Sequence, residues 1–588
     1  MQLKKLSPLA GLLLTALLSA CGGGGDDEPA APAAPPPPAI TVSAVALSST
    51  SPAAYADNAL VFDGGVCGDG TGTLTATWDF GDGTAPVVNP GANPTHTYAE
   101  EKAGPNAVTV NCADTAGTAI QTNTLKLTIQ SAAMQGFLGK SWTPYSSIES
   151  NTNASPYPVA GITTAGEVYG VWVRRYDTTA GNNEVVAGTT SFSQNTWNVA
   201  PTAFNTNSEK SPYVDSLGGT FGESSLTTAP IDIAVSPNGY VLAAWKTGTS
   251  PGSIWFATKS PQNTNWSTPT QINVTAVTDD SIKVVVNDAG NGAIAYCESN
   301  NAAKVISDIN NPTNTPILIS KKCGELDNTA ITFQRHRAFD IAIDKNSATI
   351  YAVGVTDAPG STSVVSLQEI AGAGTTVTEV SDRLATAPET VSLSRSPNGN
   401  RAAIAWSQLD GTHTNVYIAM LNGTSWPKAA FAHAIAPNTN YSRPLIAVND
   451  KGDAFLAMTV NNGSGTIAAV ANYDATATIP AWSTEVSTGT KGFRATDIAI
   501  DNWGTGLITH VDDNLHYTEV GTFAKKGAKQ WSGFKIISSA KLDTVYYNGF
   551  HYQTMRALPD GQAIVVTSMY DSNLNSGPHI PSGYMLLK

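Results

Sequence analysis

Charged residues, cysteine and methionine are all scarce in this chain of 588 residues. Only 13% of the residues are charged, and the formal net charge is −14. Because the chain is acidic and contains no cluster of Lys or Arg, the sequence argues against a nucleic acid or an anionic lipid as partner. It also contains no HExxH sequence, no phosphate-binding loop and no dinucleotide-binding glycine pattern. The common signatures of zinc proteases and nucleotide-dependent enzymes are therefore missing.

Long apolar runs are missing after residue 20, so no later segment is expected to cross a membrane as a helix. Before that point, Lys4 and Lys5 precede the short apolar run Leu9–Leu18, which ends in Leu-Ser-Ala-Cys at Cys21. This order resembles the signal of bacterial lipoproteins, and an ordinary secretory signal is the alternative. The resemblance implies that residues 1–20 are removed and that Cys21 is acylated.

The resemblance also bears on localisation. Gly22 follows the cysteine, where Asp would favour retention at the inner membrane of Gram-negative bacteria, so an outer-membrane lipoprotein is expected. It would face either the periplasm or the cell surface. Residues 21–39 contain the cysteine and a run rich in Gly and Pro that cannot form a core. We interpret this run as a tether that spans roughly 50 Å.

Residues 40–131 are predicted to form a small all-β domain. They contain WDFGDG at residues 78–83, His-Thr-Tyr at 96–98 and Val-Thr-Val at 108–110. These motifs resemble the polycystic-kidney-disease (PKD) domain, an immunoglobulin-like sandwich whose usual role is spacing and interaction. The resemblance implies that Trp78 and Phe80 face the core, while Asp79 and Asp82 shape a tight turn. Two carboxylates are too few to support a calcium site, so no metal or other cofactor is predicted.

With Cys21 assigned to the lipid, four cysteines remain, an even number in an oxidising compartment. Cys67 and Cys112 fall in the small domain, on either side of the WDFGDG strand, and a disulfide between them is plausible. Cys297 and Cys323 fall at strand ends that an antiparallel meander brings to one side, so they form the second candidate pair. No CxxC or Cys–His spacing points to zinc.

Residues 134–588 consist of repeated units of four short strands. One residue closes the first turn of each unit, and its successive separations are 73, 51, 57, 52, 53, 52 and 57 residues. Four strands at this period are typical of a β-propeller blade, and eight blades are predicted, with seven as the alternative. The turn residues are Gly166, Gly239, Gly290, Ser347, Gly399, Gly452, Gly504 and Gly561.

Tryptophan recurs at two positions of the repeat, ending the second strand or beginning the fourth, which indicates packing between blades. The C-terminal unit supplies only three strands. Residues 136–148 contain KSWTPY, which is similar to the start of a fourth strand elsewhere in the chain. We therefore expect this segment to complete the last blade and close the ring. The predicted fold is all-β: a PKD sandwich followed by a propeller.

Function in a propeller usually lies on the loops around the channel mouth. On the face where each first strand begins, a group of guanidiniums in an acidic protein could hold a carboxylate or a sulfate. The alternative is that these residues are solvated or form ion pairs between blades. The ligand candidates are Arg174, Arg175, Arg337, Tyr441, Arg443, Arg494 and His551, with the acids Asp340, Asp410, Asp497 and Asp513.

The propeller weakly resembles the sialidase-like and BNR-repeat propellers. The turns at 260–266 and 422–426 keep the tryptophan of their Asp-box but not its aspartate, and neither the arginine motif nor the Tyr–Glu pair is recognisable. The resemblance therefore implies the fold of these propellers but not their activity.

The sequence supports two hypotheses about function. The first is a tethered module that binds a glycan or a protein without catalysis, and the alternative is a propeller hydrolase or lyase acting on an acidic polysaccharide.

Overall fold

The structure is a computed structural model that describes most of the chain from residue 35 onwards, so residues 1–34, with the predicted signal and Cys21, lie outside it. Among the described residues, no helix is long and apolar enough to cross a membrane. Residues that are not described beyond position 34 are 37, 100, 102–103, 116–119, 145, 149–157, 176–182, 195, 200–203, 205–230, 248–251, 278–281, 299, 327–334, 361, 385, 389, 411, 423–424, 431–439, 462–465, 476, 478–480, 484–485, 488–492, 513–517, 524–530, 537–551 and 569–581.

The first part of the described chain is a β-sandwich. One sheet has the strand order β6-β5-β8-β9, a second has β2-β3-β7, and β1 pairs with β4. Its strands are β1 Thr41–Val42, β2 Ala46–Leu47, β3 Ala59–Asp63, β4 Cys67–Gly68, β5 Leu74–Asp79, β6 Val87–Val88, β7 Thr95–Thr97, β8 Asn106–Asp114 and β9 Gln121–Leu127.

The WDFGDG segment occupies the predicted positions. Trp78 and Phe80 are each only 1% exposed, and Phe62 packs against both rings, with centroids 6.1 and 5.4 Å away. The carboxylate of Asp79 accepts the backbone N–H of Gly81 at 2.8 Å, and that of Asp82 accepts the N–H of Thr84 at 3.1 Å. Both carboxylates therefore shape the turn, as the sequence predicted.

Both predicted disulfides are present. Cys67 is bonded to Cys112 and Cys297 to Cys323, with Cα–Cα distances of 5.6 and 5.8 Å. The first bond links β4 to β8 within the sandwich. The second joins the end of a blade's second strand to the connection that leaves that blade. Each bond closes a loop of the unfolded chain, of 45 and 26 residues respectively, and so reduces its conformational freedom.

The described part of residues 146–588 contains eight antiparallel sheets of four or five strands, which are the blades. Strand β10 is Ser146–Ser147. Blade 1 contains β11 Val159–Ile162, β12 Glu167–Arg175, β13 Asn183–Ser191 and β14 Asn198–Val199; blade 2, β15 Ile231–Val235, β16 Val241–Thr247, β17 Gly252–Lys259 and β18 Thr270–Val277; blade 3, β19 Ile282–Val286, β20 Gly292–Cys297, β21 Ala303–Ile306 and β22 Ile317–Ser320.

A two-stranded ribbon lies between blades 3 and 4 in the chain, and the remaining blades follow in order. The ribbon is β23 Gly324–Leu326 and β24 Arg335–Arg337. Blade 4 contains β25 Phe339–Ile343, β26 Ile350–Ala358, β27 Thr362–Ala371 and β28 Gly374–Glu379; blade 5, β29 Val391–Arg395, β30 Ala402–Asp410, β31 His413–Met420 and β32 Lys428–Ala430.

Blade 6 has an additional short strand that pairs with its third strand. Blade 6 contains β33 Asn440–Val448, β34 Ala454–Asn461, β35 Thr466–Asp474, β36 Ala481–Trp482 and the extra β37 Val486–Ser487; blade 7, β38 Phe493–Ile500, β39 Gly506–Asp512, β40 Thr518–Phe523 and β41 Trp531–Ile536; blade 8, β42 Tyr552–Ala557, β43 Ala563–Ser568 and β44 Ser582–Leu587.

The turn between the first two strands explains the repeat. Seven of its eight marker residues are glycines with a positive φ between 75° and 92°, a conformation that glycine adopts without strain. Blade 4 has Ser347 instead. Its turn is one residue longer, running from Ile343 to Ile350 rather than, as in blade 2, from Val235 to Val241. Blade 5 has a turn of the same length, from Arg395 to Ala402, and keeps Gly399 at positive φ, so the length of the turn does not explain the serine.

Apolar clusters between neighbouring blades form the core. Trp172, Trp245 and Trp406, which end second strands, are fully buried within such clusters, in agreement with the predicted inter-blade packing. Separate clusters join blade 7 to blade 8 and blade 8 to blade 1. Because every blade is packed against the next, including the last against the first, the eight sheets form a closed ring.

The predicted closure of the ring is confirmed. Strand β10 pairs antiparallel with β44, with Ser146 opposite Tyr584, and supplies the fourth strand of blade 8. An isolated bridge joins Trp142 to Leu587. A strand from the start of the propeller therefore covers an edge that the C-terminal strand would otherwise leave unpaired.

A second anchor of the closing segment lies at the turn of blade 7. Asp501 is fully buried, and its Oδ2 accepts the backbone N–H of Phe137 at 2.9 Å. At the equivalent turn positions, Asn287 and Asn449 each donate from their side-chain amide to a backbone carbonyl in the next blade. Aspartate has no such donor, so this position accepts a hydrogen bond from the closing segment instead.

This buried carboxyl is expected to make stability depend on pH. Burial raises the pKa of Asp501 to about 7, although hydrogen bonds from Phe137, Thr505 and Trp503 oppose the rise. The native state then binds this proton more tightly than the unfolded chain, whose pKa is ordinary. As the pH rises from about 4 to 7, Asp501 therefore lowers the free energy of unfolding, by up to about 4 kcal/mol.

Urea unfolding of the wild type and of Asp501→Asn at pH 4, 5.5 and 7 tests this expectation. The variant should lose less stability than the wild type over this range. Asp357→Asn, which removes a carboxyl that is 80% exposed, controls for the change in net charge. Identical pH profiles for the wild type and Asp501→Asn would contradict the assignment.

Candidate functional site

The first strand of each blade lies at one end of its sheet, beside the central channel. Three of these strands carry an aspartate seven residues before the turn marker: Asp232, Asp340 and Asp497, on blades 2, 4 and 7. Oδ2 of each one accepts a backbone N–H from the first strand of the next blade, at 3.0, 2.9 and 3.0 Å respectively. Oδ1 accepts the N–H of the following residue.

These bonds satisfy N–H groups that have no partner within their own sheet. A buried N–H without a partner costs about 1–3 kcal/mol. Ser392 has the same role with a hydroxyl, since its Oγ accepts the N–H of Ile446 at 3.3 Å. We conclude that the aspartates connect neighbouring blades, which gives the predicted ligand candidates Asp340 and Asp497 a structural role.

Two cations complete a charged network in the channel. Nζ of Lys283 lies 2.5 Å from Asp340. The guanidinium of Arg556 lies 3.2 Å from Asp497 and 3.9 Å from Asp232, and so connects blade 8 with blades 7 and 2. Burial raises the pKa of Asp497, and the charge of Arg556 and two backbone hydrogen bonds oppose that rise. The described carboxylates of the channel thus have cationic or backbone partners.

The channel mouth is the face at which the first strands begin, and the ribbon β23–β24 lies on it. Gly324 pairs with Arg337 at the base of the ribbon. The disulfide between Cys297 and Cys323 fixes the residue before β23. Arg337 donates from Nη2 to the carbonyl of Ile282 at 2.9 Å, which ties β24 to blade 3. The guanidinium of this ligand candidate is therefore used in positioning the ribbon.

The first strands of blades 6 and 7 are longer than those of blades 2–5 in the described part of the chain. These two strands, β33 and β38, have nine and eight residues, whereas those of blades 2–5 have five each. Both long strands contain a bulge, between Ser442 and Leu445 and between Ala495 and Asp497. Bulges of this kind re-aim side chains next to binding sites. The mouth is therefore asymmetric, with a ribbon by blades 3 and 4 and long, bulged first strands on blades 6 and 7.

Arg443 occupies the bulge of blade 6. Its φ is +55°, one of five positive values at described residues other than glycine. A residue with a Cβ pays about 1 kcal/mol or more to adopt this conformation. Tyr441, two residues earlier, is only 1% exposed and packs in the core between blades 5 and 6. Of these two ligand candidates, the structure leaves Arg443 partly exposed at the rim and buries Tyr441.

The remaining ligand candidates lie partly or wholly outside the described residues. Arg174 and Arg175 lie at the end of β12 and Arg494 lies in β38, so all three are at the mouth by strand position. Their side chains, and that of Asp410, are outside the described residues, as are His551 and Asp513.

The sequence analysis did not identify Asp232, Lys283 and Arg556 as residues of the channel. The recurring Asp-Ile-Ala of first strands marks Asp232, but nothing in the sequence pairs it with Arg556.

One serine pattern lies outside the mouth candidates. Residues 248–252 read Gly-Thr-Ser-Pro-Gly, which matches the G-x-S-x-G of serine hydrolases. That motif acts at a sharp turn from a strand into a helix. Ser250 lies outside the described residues, and Gly252 begins β17.

A small cleft lies at the opposite face, where the third strand of blade 2 turns into the fourth. Its volume is about 320 Å³. Just before it, Lys259 lies over the ring of Tyr169, 5.5 Å from its centroid, and donates to the carbonyl of Asn263 at 2.6 Å. Burial lowers the pKa of Lys259, and burial together with Glu167 raises that of Tyr169 to about 12. The cleft is lined by Thr258, Ser260, Asn263, Thr264, Asn265, Trp266 and Ser267.

Comparison with known families identifies the first domain. Residues 44–129 match the PKD domain. The PKD sandwich therefore has the fold that its WDFGDG segment predicted. None of the curated proteins matches the chain.

Solved propellers resemble the chain at low identity. The propeller domain of the trilobed protease from Pyrococcus furiosus has a TM-score of 0.36 at 9% identity, covering 67% of this chain and 98% of its own. An ulvan lyase bound to GlcA(1-4)Rha3S has 0.38 at 11%, covering 75% and 95%. The α-L-arabinanase of Penicillium chrysogenum with arabinobiose has 0.33 at 12%, covering 65% and 98%. Scores this low carry no argument about function, and the propeller assignment rests on the eight sheets themselves.

Proposed function

We propose that this protein is a tethered binding module whose propeller mouth holds a glycan or a protein outside the cytoplasm. In this proposal Cys21 carries the lipid anchor at the outer membrane, residues 22–39 form the tether, and the PKD domain acts as a spacer. The observation that carries the proposal is the strained backbone of Arg443 in a bulge at the rim of the channel mouth. Strain of this kind is retained where a side chain must be aimed at a ligand.

The channel carboxylates favour binding over hydrolysis. A glycoside hydrolase of the usual type needs two carboxyl groups that face the substrate, one as acid and one as base or nucleophile. Asp232, Asp340 and Asp497 each use both oxygens for backbone N–H groups. Among the described residues of the channel, no carboxylate pair is therefore arranged for that chemistry.

The variant Arg443→Gly is expected to weaken ligand binding with little change in the free energy of unfolding. Glycine adopts a φ of +55° without strain, so we expect the stability to stay within about 1 kcal/mol of the wild type. The guanidinium is lost, and the affinity for an anionic group should fall at least about tenfold, because a charge-assisted hydrogen bond is removed. Binding of purified residues 39–588 to a glycan array, followed by titration of each hit, measures this.

The matched control for that experiment is Arg383→Gly, which removes a guanidinium that is 52% exposed in the connection from blade 4 to blade 5. It should bind like the wild type. An Arg443→Gly protein that keeps full affinity for every hit would overturn the assignment of the mouth. A hydrolysis assay on each hit distinguishes the binding module from a propeller hydrolase.

The proposed anchor is tested with Cys21→Ser in a Gram-negative host. Acylation requires the thiol, so the variant should incorporate no labelled palmitate. It should also move from the outer-membrane fraction to a soluble one, because a lipidated N-terminus is what holds the protein at the bilayer. Labelling and membrane fractionation of the wild type and the variant give the two readouts. Label in the Cys21→Ser protein would contradict the lipoprotein assignment.

A further inference from the structure

The cleft of blade 2 is rigid and polar. Its walls are held by backbone bonds within the turn, since the N–H of Ser267 donates to the carbonyl of Thr258 at 2.8 Å and the N–H of Asn263 donates to Ser260 at 3.1 Å. The hydroxyl of Ser267 accepts the N–H of Thr258 at 2.9 Å. A preformed cleft of about 320 Å³ is at the lower end of the size of small-molecule sites.

Three side chains of this cleft are unused by the fold. Asn263, Thr264 and Asn265 are exposed. Within the part of the chain that the structure describes, none of the three side chains has a hydrogen-bond partner. Together the two amides and the hydroxyl offer both donors and acceptors. They are aligned on a turn that is already fixed, so a ligand would not have to order it.

Trp266 supplies an apolar surface beside these polar groups. It is half-buried, and Phe204 holds it in an edge-to-face contact at 4.7 Å. Phe204 in turn stacks on Trp245 at 5.6 Å, so the indole is fixed by the core between blades 1 and 2. The described residues that line the cleft include no acid and no base, and the ammonium of Lys259 beside them is bonded to the carbonyl of Asn263. An uncharged lining of amides, hydroxyls and one indole suits a ligand with hydroxyl groups and an apolar C–H face.

We infer that this cleft is a binding subsite for a neutral saccharide, separate from the mouth. The sugar ring would lie against Trp266, and its hydroxyls would bond to Asn263, Thr264 and Asn265. Two other turns with a tryptophan at this position differ from the cleft in their described residues. In blade 5 the turn is two residues shorter, and Asn422 and Ser425 close it by bonding to each other's backbone. In blade 1, the indole Nε1 of Trp197 is buried.

Saturation-transfer NMR with neutral gluco-, galacto-, manno- and arabino-oligosaccharides of three to six units tests this inference on purified residues 39–588. We expect at least one of them to bind the wild type. The double variant Asn263→Ala and Asn265→Ala should bind it at least about tenfold more weakly, because each lost hydrogen bond contributes about a factor of ten. Asn422→Ala, an exposed change in the corresponding turn of blade 5, should bind within about twofold of the wild type.

Three outcomes would overturn the inference. The wild type binds none of the neutral sugars, the double variant binds them as well as the wild type, or the site takes only charged saccharides. Circular dichroism of the double variant shows whether the fold is kept. Arg443→Gly keeps this cleft intact, so loss of neutral-sugar binding in that variant would instead assign the ligand to the mouth. If the cleft binds no neutral sugar, the proposal for the mouth is unaffected. If Arg443→Gly keeps full affinity for every ligand of the mouth, the inference about the cleft is likewise unaffected.

Discussion

Replacing Gly136 with valine is expected to destabilise the propeller by about 3–5 kcal/mol. A Cβ at this position would overlap the carboxylate of Asp501 and come within 2.9 Å of the ring of Trp503. The closing segment must then move away from blade 7, and the hydrogen bond from Phe137 to the buried carboxylate is lost. Overpacking and the loss of a buried hydrogen bond contribute about 1–3 kcal/mol each.

Urea unfolding of the full-length protein without its signal, followed by tryptophan fluorescence, measures this effect. Gly104→Val is the matched control, because a Cβ at Gly104 meets nothing within 4 Å, and its stability should be close to that of the wild type. If both variants unfold at the same urea concentration as the wild type, the closing segment is not anchored at Asp501.

The second large effect is expected for Asp340→Ala, which should cost about 3 kcal/mol. The change leaves Lys283 without its partner at 2.5 Å and removes the acceptor for the N–H groups of Ile341 and Leu393. Breaking a buried ion pair by removing one member typically costs about 3–5 kcal/mol. We use the lower end because the side chain of Lys283 is 29% exposed.

The control for this prediction is Asp357→Ala. Asp357 also pairs with a lysine, Lys321, but its side chain is 80% exposed, and exposed pairs contribute little to stability. Asp340→Ser provides a partial rescue test, since a hydroxyl fills the equivalent role at Ser392. Equal stabilities for Asp340→Ala and Asp357→Ala would show that the carboxylate does not connect blades 4 and 5.

The two destabilising variants and Arg443→Gly address different parts of the molecule. Gly136 and Asp340 act on how the blades are joined, whereas Arg443 lies at the rim and keeps its strained conformation at a cost to stability. The charged side chains inside the channel join the blades to one another. We expect a ligand to contact the loops at the rim instead. This division is the reason to look for the ligand at the mouth and not inside the channel.

Much of the fold could be predicted from local patterns. The turn glycines mark seven of the eight blades because a residue without a Cβ adopts positive φ there without strain, and Trp142 marks the closing strand by its similarity to later tryptophans. The candidate site was harder to predict from the sequence. The sequence around Tyr441 does not distinguish it from a surface aromatic residue, because its burial depends on how blades 5 and 6 pack together. The backbone strain at Arg443 depends on a bulge that no pattern in the sequence predicts.

By itself the sequence determined the PKD domain, the blade repeat, the disulfide pairs and the closing strand, because each depends on residues whose geometry is set by neighbours in the chain or by a fixed repeat. Only the tertiary structure decided what the charged residues do. Asp232 and Arg556 are 324 positions apart in the sequence and meet because the ring places blade 8 near blade 2. Which carboxylates join blades and which side chains are available to a ligand follows from that arrangement, since long-range contacts across a channel leave no periodic trace in a single sequence.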